Sequence, residues 1–263
     1  MIDDPDGTGR RLGRTRLAVV VPMYNEIVSA ESCVRRILSV IPTLALPTEL
    51  IVVDDGSRDG TGDLLDDLQR TVGTFTVVHK PNGGYGSAIS AGARAALERT
   101  NDYILFMDSD LTNPPEHIAR FVPAIMRGID LIKGSRFSEG GDMNAVPWRR
   151  RIFSISGNFV ARALFRMGIP DTTNGFRAIK TRLYLDMPLK ERGFPIIHEE
   201  LYWAKRAGMS VASVPTSLSS RADDQRSSLF LYRPAIIWAY LKYALRAALV
   251  PYPRSYNGGC LRR

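Results

Sequence analysis

Short, almost unbroken apolar runs rich in β-branched residues alternate along this chain with longer segments of helical period. The runs at 17–22, 50–54, 75–79, 103–107 and 129–133 predict strands buried on both faces, because a strand with one wet face would alternate apolar and polar residues. Segments 27–40, 61–70, 87–99 and 115–127 predict helices, each following a polar or glycine-containing connection. Right-handed crossovers between such strands imply an α/β fold, a mostly parallel Rossmann-like sheet flanked by helices on both sides.

In sheets of this kind ligands bind beyond the carboxyl ends of the strands, so the residues just after each strand carry most of the information. The first strand runs into Pro22-Met23-Tyr24-Asn25-Glu26, the second into Asp54-Asp55-Gly56-Ser57 and the fourth into Asp108-Ser109-Asp110. Glu26, Asp54, Asp55, Asp108 and Asp110 would then share one rim. Carboxylates crowded together repel unless a cation or hydrogen-bond donors compensate, and a few carboxylates plus substrate phosphates suit Mg2+ or Mn2+. A divalent-metal diphosphate site is the natural expectation, with Asp59 and Thr61 more simply read as a local Asx-turn or cap. The glycine-rich turn Asn82-Gly83-Gly84-Tyr85-Gly86 opens a helix and could either bring backbone amides to a phosphate or merely need glycine for its own shape. A dinucleotide fold would place its glycine fingerprint directly after the first strand, where this chain has Pro-Met-Tyr-Asn-Glu, and no P-loop sequence occurs.

Composition narrows this further. With 44% hydrophobic and 24% charged residues in 263, the chain is too core-rich to be disordered. Two cysteines, Cys33 and Cys260, support neither a disulfide framework nor a cysteine-based zinc site. The first sixteen residues are polar and lack the apolar core of an export signal. The net charge of +8 is concentrated late, at Arg149, Arg150, Arg151, Arg162, Arg166, Arg177, Arg221 and Arg226. That pattern suits a phosphorylated ligand or an anionic membrane face, whereas an acidic rim opposes nucleic acid.

The ordered blocks Val19-Val20-Val21-Pro22-Met23-Tyr24-Asn25-Glu26, Ile51-Val52-Val53-Asp54-Asp55-Gly56-Ser57, Asn82-Gly83-Gly84-Tyr85-Gly86, Met107-Asp108-Ser109-Asp110, Gly134-Ser135-Arg136-Phe137 and Asn174-Gly175-Phe176-Arg177 resemble the family 2 glycosyltransferases. Within that family they are similar to the dolichol- or polyprenol-phosphate sugar synthases. The resemblance implies a GT-A-like fold and inverting transfer of a hexose from a GDP- or UDP-sugar to a polyprenyl phosphate. It implies that Pro22, Tyr24, Glu26 and Asp54 hold base and ribose, with Asp55 and Gly84 also on the donor side, and that Asp108 and Asp110 meet the metal and diphosphate. Arg136, Arg150, Ser154 and Arg221 correspond to acceptor-phosphate positions, and residues 150 and 154 lie one helical turn apart. Asp171, shortly before Asn174-Gly175-Phe176-Arg177, occupies the position of a general base, or else positions a cation or pairs with Arg177. Glu200 in His198-Glu199-Glu200-Leu201 is a further candidate, while His198, with no second histidine at helical spacing, reads as structural. Thr112 stands where related synthases commonly carry Gln or Ser after the metal doublet and a leucine.

The expected organisation is a polar tail at 1–15, a transferase domain at 16–222 whose acceptor-side helical part starts near 147, and an amphipathic helix at 229–253. In that helix Lys242 and Arg246 form a narrow cationic stripe on a broad apolar face. This suits a helix lying in a membrane interface, or one packed on the domain or on a second subunit. The whole reads as a cytoplasmic enzyme held peripherally on the inner face of a membrane, with a membrane-protein partner or homo-oligomer as possible support. The same core acting on a cell-envelope saccharide, or a non-catalytic nucleotide-sugar-binding subunit, are the competing readings.

Overall fold

The computed structural model describes residues 15–138, 148–218 and 234–251, with the side chains of 148–156 and 234–236 outside that description. Strands β1 (Leu17–Met23), β2 (Thr48–Asp54), β3 (Phe75–His79), β4 (Tyr103–Phe106), β5 (Leu131–Ser135), β6 (Arg177–Lys180) and β7 (Val211–Pro215) form one sheet in the order β3-β2-β1-β4-β6-β5-β7. β1 through β4 pair in parallel, β6 runs antiparallel between β4 and β5, and β7 returns parallel to β5.

The unbroken apolar character of β1 and β2 follows from cover on both faces. Leu17, Val19, Val21 and Met23, with Leu50 and Val52, pack under helices α1 (Ala30–Val40) and α2 (Thr61–Val72). The alternate residues Ala18, Val20, Ile51 and Val53 face the other layer. That layer is made by α3 (Tyr85–Glu98), α5 (Trp148–Phe165), α6 (Thr181–Leu185), α7 (Ile196–Arg206) and α8 (Pro234–Ala248); the short α4 (Val122–Met126) belongs to the first face. Alternation inside a wholly apolar run thus fills two cores from one strand.

Three expected elements end up differently. The segment 115–127 forms a 3-10 turn at Pro115–Phe121 before α4, because Pro123 has no N–H to continue an α-helical ladder. The helix expected from residue 27 begins at Ala30, after Asn25 takes a left-handed conformation at φ 55°. β5 starts two residues late, since Gly128 and Ile129 donate to Ile125 and Ala124 carbonyls and close α4 first. β6 and β7, absent from the pattern-based reading, complete the sheet.

β1 sits between β2 and β4, so the chain crosses to opposite sides of the sheet from this strand. Such a switch point opens a crevice beyond the strand ends. α3 crosses β1 at very short range, because a Cβ on Gly92 would lie 2.3 Å from Val20 Cγ1 and 3.1 Å from Val53 Cγ2. Gly92→Ala is therefore expected to overpack this contact and lower the unfolding free energy by about 1–3 kcal/mol in a urea titration. Unchanged stability would mean that α3 does not rest on the sheet at this glycine.

Candidate active site

The carboxyl ends of β1 and β2 are tied together by their own loops. Asn25 N–H donates to Ser57 Oγ at 2.9 Å, Glu26 N–H to Thr61 Oγ1 at 2.8 Å and Ile27 N–H to Asp59 Oδ2 at 3.1 Å, while Asn25 Oδ1 accepts from Arg58 N–H at 2.8 Å. Asp59 also accepts from the Thr61 N–H and hydroxyl, forming the expected Asx-turn. This stitching leaves Tyr24 41% exposed above half-buried Pro22, and turns Glu26 so that Ser29 donates to its Oε2 at 2.6 Å.

Asp54 and Asp55 have different surroundings. Asp54 accepts from Ser57 N–H at 3.0 Å and lies 3.1 Å from His79 Nδ1. Burial pushes its carboxyl pKa up, but the bonds from Ser57 and His79 outweigh this and hold it below the ordinary value. Asp55 accepts from Gly83 and Gly84 N–H at 3.0 and 2.8 Å and from the Lys80 amine. Gly86 N–H donates to Arg192 O at 2.7 Å. The amides of Gly83, Gly84 and Gly86 are thus already bonded within the protein, which suits the second of the two readings of this turn. Its glycines are needed for shape: Gly84 has φ 84°, and a Cβ there would sit 2.7 Å from Arg192 O.

β4 delivers Asp108 and Asp110 to the same end. Asp110 Oδ1 accepts from Thr112 N–H at 3.1 Å and its hydroxyl at 2.8 Å, and the intervening Leu111 is left-handed at φ 54°. Thr112 therefore fixes the rotation of the Asp110 carboxylate. A Cβ on Gly175 would lie 3.2 Å from Asp108 Oδ2, so glycine lets the β6 side approach this acid. The buried Cys33 thiol is pushed up first by burial and then by Asp110, Glu26 and Asp108, which places three rim carboxylates within electrostatic reach of one point on α1.

Beside Asp108, on the Gly175 side, lies a group of largely buried cations built from β5, β6 and the 170–175 loop. Arg136 donates through Nε and Nη2 to Asp171 at 2.7 and 3.0 Å, and through Nη2 to Thr173 Oγ1 at 2.8 Å. Asp171 is fully buried and also accepts from the N–H groups of Arg136, Thr173 and Asn174. Burial raises its pKa, but the Arg136 charge and bonds, with Lys133, bring it below the usual range. Asp171 pairs with Arg136 and not with Arg177. A fully buried, multiply bonded carboxylate stabilised in its ionised form has the character of an anchor, which suits the structural-partner alternative, with Arg136 in place of Arg177.

Arg177, also fully buried, forks onto both oxygens of Glu200, donates to Gly175 O at 2.7 Å and lies 4.5 Å from the Phe106 ring centre. Glu200 is thereby a structural partner of Arg177. Lys133 sits beside Arg177 in strand register and donates to Asn174 O; burial, then Arg177, lowers its amine to about 7. Lys133, like the Asn158 side chain that holds Thr172 N–H at 2.7 Å and Pro170 O at 2.6 Å, escaped the sequence reading. A lone charge inside the apolar run of β5 was its available signal. His198 is structural as expected, its Nδ1 3.1 Å from Tyr240 O and its pKa lowered to about 4 by burial.

Arg150 and Ser154 fall on α5 as expected, but their side chains, and Arg221 altogether, lie outside the described residues. α8 packs its Tyr243, Ala244 and Ala247 into the core. Lys242 is ion-paired to Glu191, so the expected cationic stripe is partly consumed inside the protein. Among the described residues no helix is long and apolar enough to cross a membrane.

The mixed, mostly parallel sheet with its switch point at β1 is a GT-A-like fold. The model of glycosyl transferase family 2 matches residues 18–187, and the chain belongs to that family. It is 34% identical over 211 residues to a polyprenol monophosphomannose synthase of Mycolicibacterium smegmatis, covering 78% of each chain. It is 31% identical to an undecaprenyl-phosphate mannosyltransferase of Micrococcus luteus, over 78% of this chain and 84% of that one. A dolichol-phosphate mannosyltransferase of Pyrococcus furiosus is 30% identical over 88% of this chain and 63% of its own length. In fold the chain is similar to glucosyl-3-phosphoglycerate synthase of Mycobacterium tuberculosis, with TM-score 0.60 at 23% identity over 91% of this chain and 80% of that one, in a structure containing Mn2+ and uridine diphosphate. The enzyme class is thus a hexosyltransferase of family 2.

Glu200→Gln keeps the shape of the buried pair but leaves the Arg177 charge without its counter-ion. It is expected to cost about 3–5 kcal/mol of unfolding free energy, read by denaturant titration. A loss below about 1 kcal/mol would show that Arg177 is compensated elsewhere.

Proposed function

We propose that this chain transfers a hexose, with mannose the first to test, from a nucleotide-sugar to a polyprenyl phosphate with inversion at the anomeric carbon. The observation that carries this is the approach of the 170–175 loop, whose Asp171 holds Arg136, to the Asp108 carboxylate beyond β4, where a Cβ on Gly175 would lie 3.2 Å from Asp108 Oδ2. The acids there suit a cation-bound diphosphate, and Arg136, whose side chain stays 12% exposed, suits a second phosphate. The activities for which the mannosyltransferase relatives are named support the same acceptor class.

In this reading Tyr24 and Pro22 receive the base, and Glu26 and Asp54 the ribose and base edges. Asp55 acts indirectly, holding Gly83 and Gly84 so that α3 starts at the right height. Among the described residues no cluster of three or more ligand side chains forms a metal site. That fits Mg2+ or Mn2+ held by one or two carboxylates and completed by substrate phosphates, with Asp108 and Asp110 as the protein's share and Thr112 fixing the second. Such a cation, when bound, supplies positive charge against the departing diphosphate. Arg136, with Arg150, Ser154 and Arg221, receives the acceptor phosphate. A phosphate monoester is already largely ionised near neutral pH, so its oxygen can attack without a base, consistent with Asp171 serving to aim Arg136.

The outer face of α8 fits a lipid-bound acceptor. Ile237, Trp238, Leu245 and Leu249 are exposed, as are Phe159 and Val160 on α5. Apolar side chains on a helix docked by its other face suit peripheral seating in the headgroup region of a membrane.

The decisive assay combines the purified chain, Mn2+ or Mg2+, GDP- and UDP-hexoses and a short polyprenyl phosphate. A lipid-linked sugar is expected, reduced at least about a hundredfold by Asp110→Asn, the scale of losing one charge-stabilising group. Donor binding without lipid glycosylation would discard the acceptor and direct the search to saccharides. Separately, Trp238→Glu with Leu249→Glu is expected to reduce co-sedimentation with anionic vesicles severalfold while leaving the unfolding transition in place. Undiminished vesicle binding would remove α8 from the membrane contact.

A further inference from the structure

Asp54 ends β2 and His79 ends β3, and the two are register partners across the parallel ladder. His79 lies between two acids, with Nδ1 3.1 Å from Asp54 Oδ2 and Nε2 2.9 Å from Asp66 Oδ1 on α2. α2 begins tightly against this pair: a Cβ on Gly62 would stand 3.0 Å from Asp54 Oδ2 and 3.6 Å from His79 Cε1. The group borders an open depression of about 350 Å3 whose other charged side chains are Asp63 and Arg58. Lys80, next along the chain, is directed to Asp55 instead.

We propose that His79 is a positioning residue of the donor site, holding the Asp54 carboxylate in place from one ring nitrogen while Asp66 secures the other, so that nucleotide affinity depends on the charge of the imidazole. The inference rests on the reading of Asp54 as a residue that faces the donor nucleoside. A neutral imidazole has one N–H, so one of the two acids would meet a ring lone pair, whereas an imidazolium satisfies both. The bond to Asp66 first, and that to Asp54 after it, raise the His79 pKa above 6.5 against the opposing effect of burial. The sign follows: the double tether is complete below the ordinary histidine value and is lost as pH rises through the elevated one. Above it the single remaining N–H serves one acid only; on Nε2, toward Asp66, it leaves Asp54 with the Ser57 N–H and without its second support.

The test is calorimetric titration of the full chain with GDP and UDP in Mn2+ from about pH 6 to about pH 9, with the transfer assay run in parallel. Wild-type affinity is expected to fall roughly fivefold across this range, the scale of one hydrogen bond, with a midpoint above that of free histidine. His79→Gln removes that dependence and raises the donor KM with little change in kcat, and Asp66→Asn moves the midpoint down. The nucleotide's terminal phosphate titrates nearby, so the His79→Gln profile is the reference against which the wild type is read. Competition by the uncharged nucleoside is expected to follow the same profile, because the effect passes through Asp54 and not through attraction of the diphosphate. A His79→Gln profile equal to wild type, or a dependence confined to the phosphorylated ligands, overturns the role of His79 and leaves the donor site standing. Failure of either nucleotide to bind at any pH overturns the donor-site reading itself.

Discussion

Two opposite charges, Arg177 on β6 and Glu200 on α7, are buried together between the sheet and its helical cover, and much of the site's geometry rests on their pairing. β6 runs antiparallel between β4 and β5, so its first residue lies where those two parallel strands end. The guanidinium reaches α7 through Glu200, the preceding loop through Gly175 O and the start of α3 through the Tyr85 hydroxyl at 3.4 Å. Desolvating such a pair is expensive, and its net contribution to stability is accordingly small or even unfavourable against an apolar alternative. What it secures is position: Gly175 is held against Asp108, and Lys133 and Asn174 are brought beside the loop that carries Asp171.

The two halves of the crevice are organised by different means. On the donor side, backbone N–H groups and hydroxyls fix the acids: Ser57 on Asp54, the glycine turn on Asp55, Thr112 on Asp110. Left-handed Asn25 and Leu111 lie at the ends of β1 and β4, where local strain turns the chain sharply enough to keep these acids on one rim. On the other side charge is fixed by charge, Arg136 by Asp171 and Arg177 by Glu200. Asp110, held by the neutral donors of Thr112, keeps its negative charge on the rim, whereas Asp55 is partly offset by Lys80 and the buried pairs largely neutralise themselves, leaving orientation as their product.

The division between what the sequence reveals and what only packing reveals follows the same physics. β1 and β2 were legible because burial on both faces demands unbroken apolar runs, and the rim acids were legible because strand ends in an α/β sheet are where ligands bind. β6 was not, since Arg-Ala-Ile-Lys has no strand signature and its first residue is buried only through a partner on a distant helix. Asp55 and Asp54, adjacent in sequence and equivalent by pattern, separate only when β3 brings His79 to one and the glycine turn to the other. Asp171 illustrates the same limit: its position before the Asn-Gly-Phe-Arg block fits a base as readily as an anchor, and only packing reveals that its partner is Arg136.

A saturated Asp171 also bears on the chemistry. Deprotonating an alcohol at neutral pH requires a base with an accessible lone pair and a pKa near the working pH, and Asp171 has been moved away from both conditions. An acceptor that arrives ionised makes no such demand; it needs cationic donors aimed at its oxygens and an acidic pocket opposite to hold the departing group's cation. In the proposed reaction Arg136, aimed by Asp171 and Thr173, serves the first requirement, and the Asp108 and Asp110 rim serves the second. Asp171 thus does for Arg136 what Glu200 does for Arg177: it uses a buried charge to fix the direction of a guanidinium.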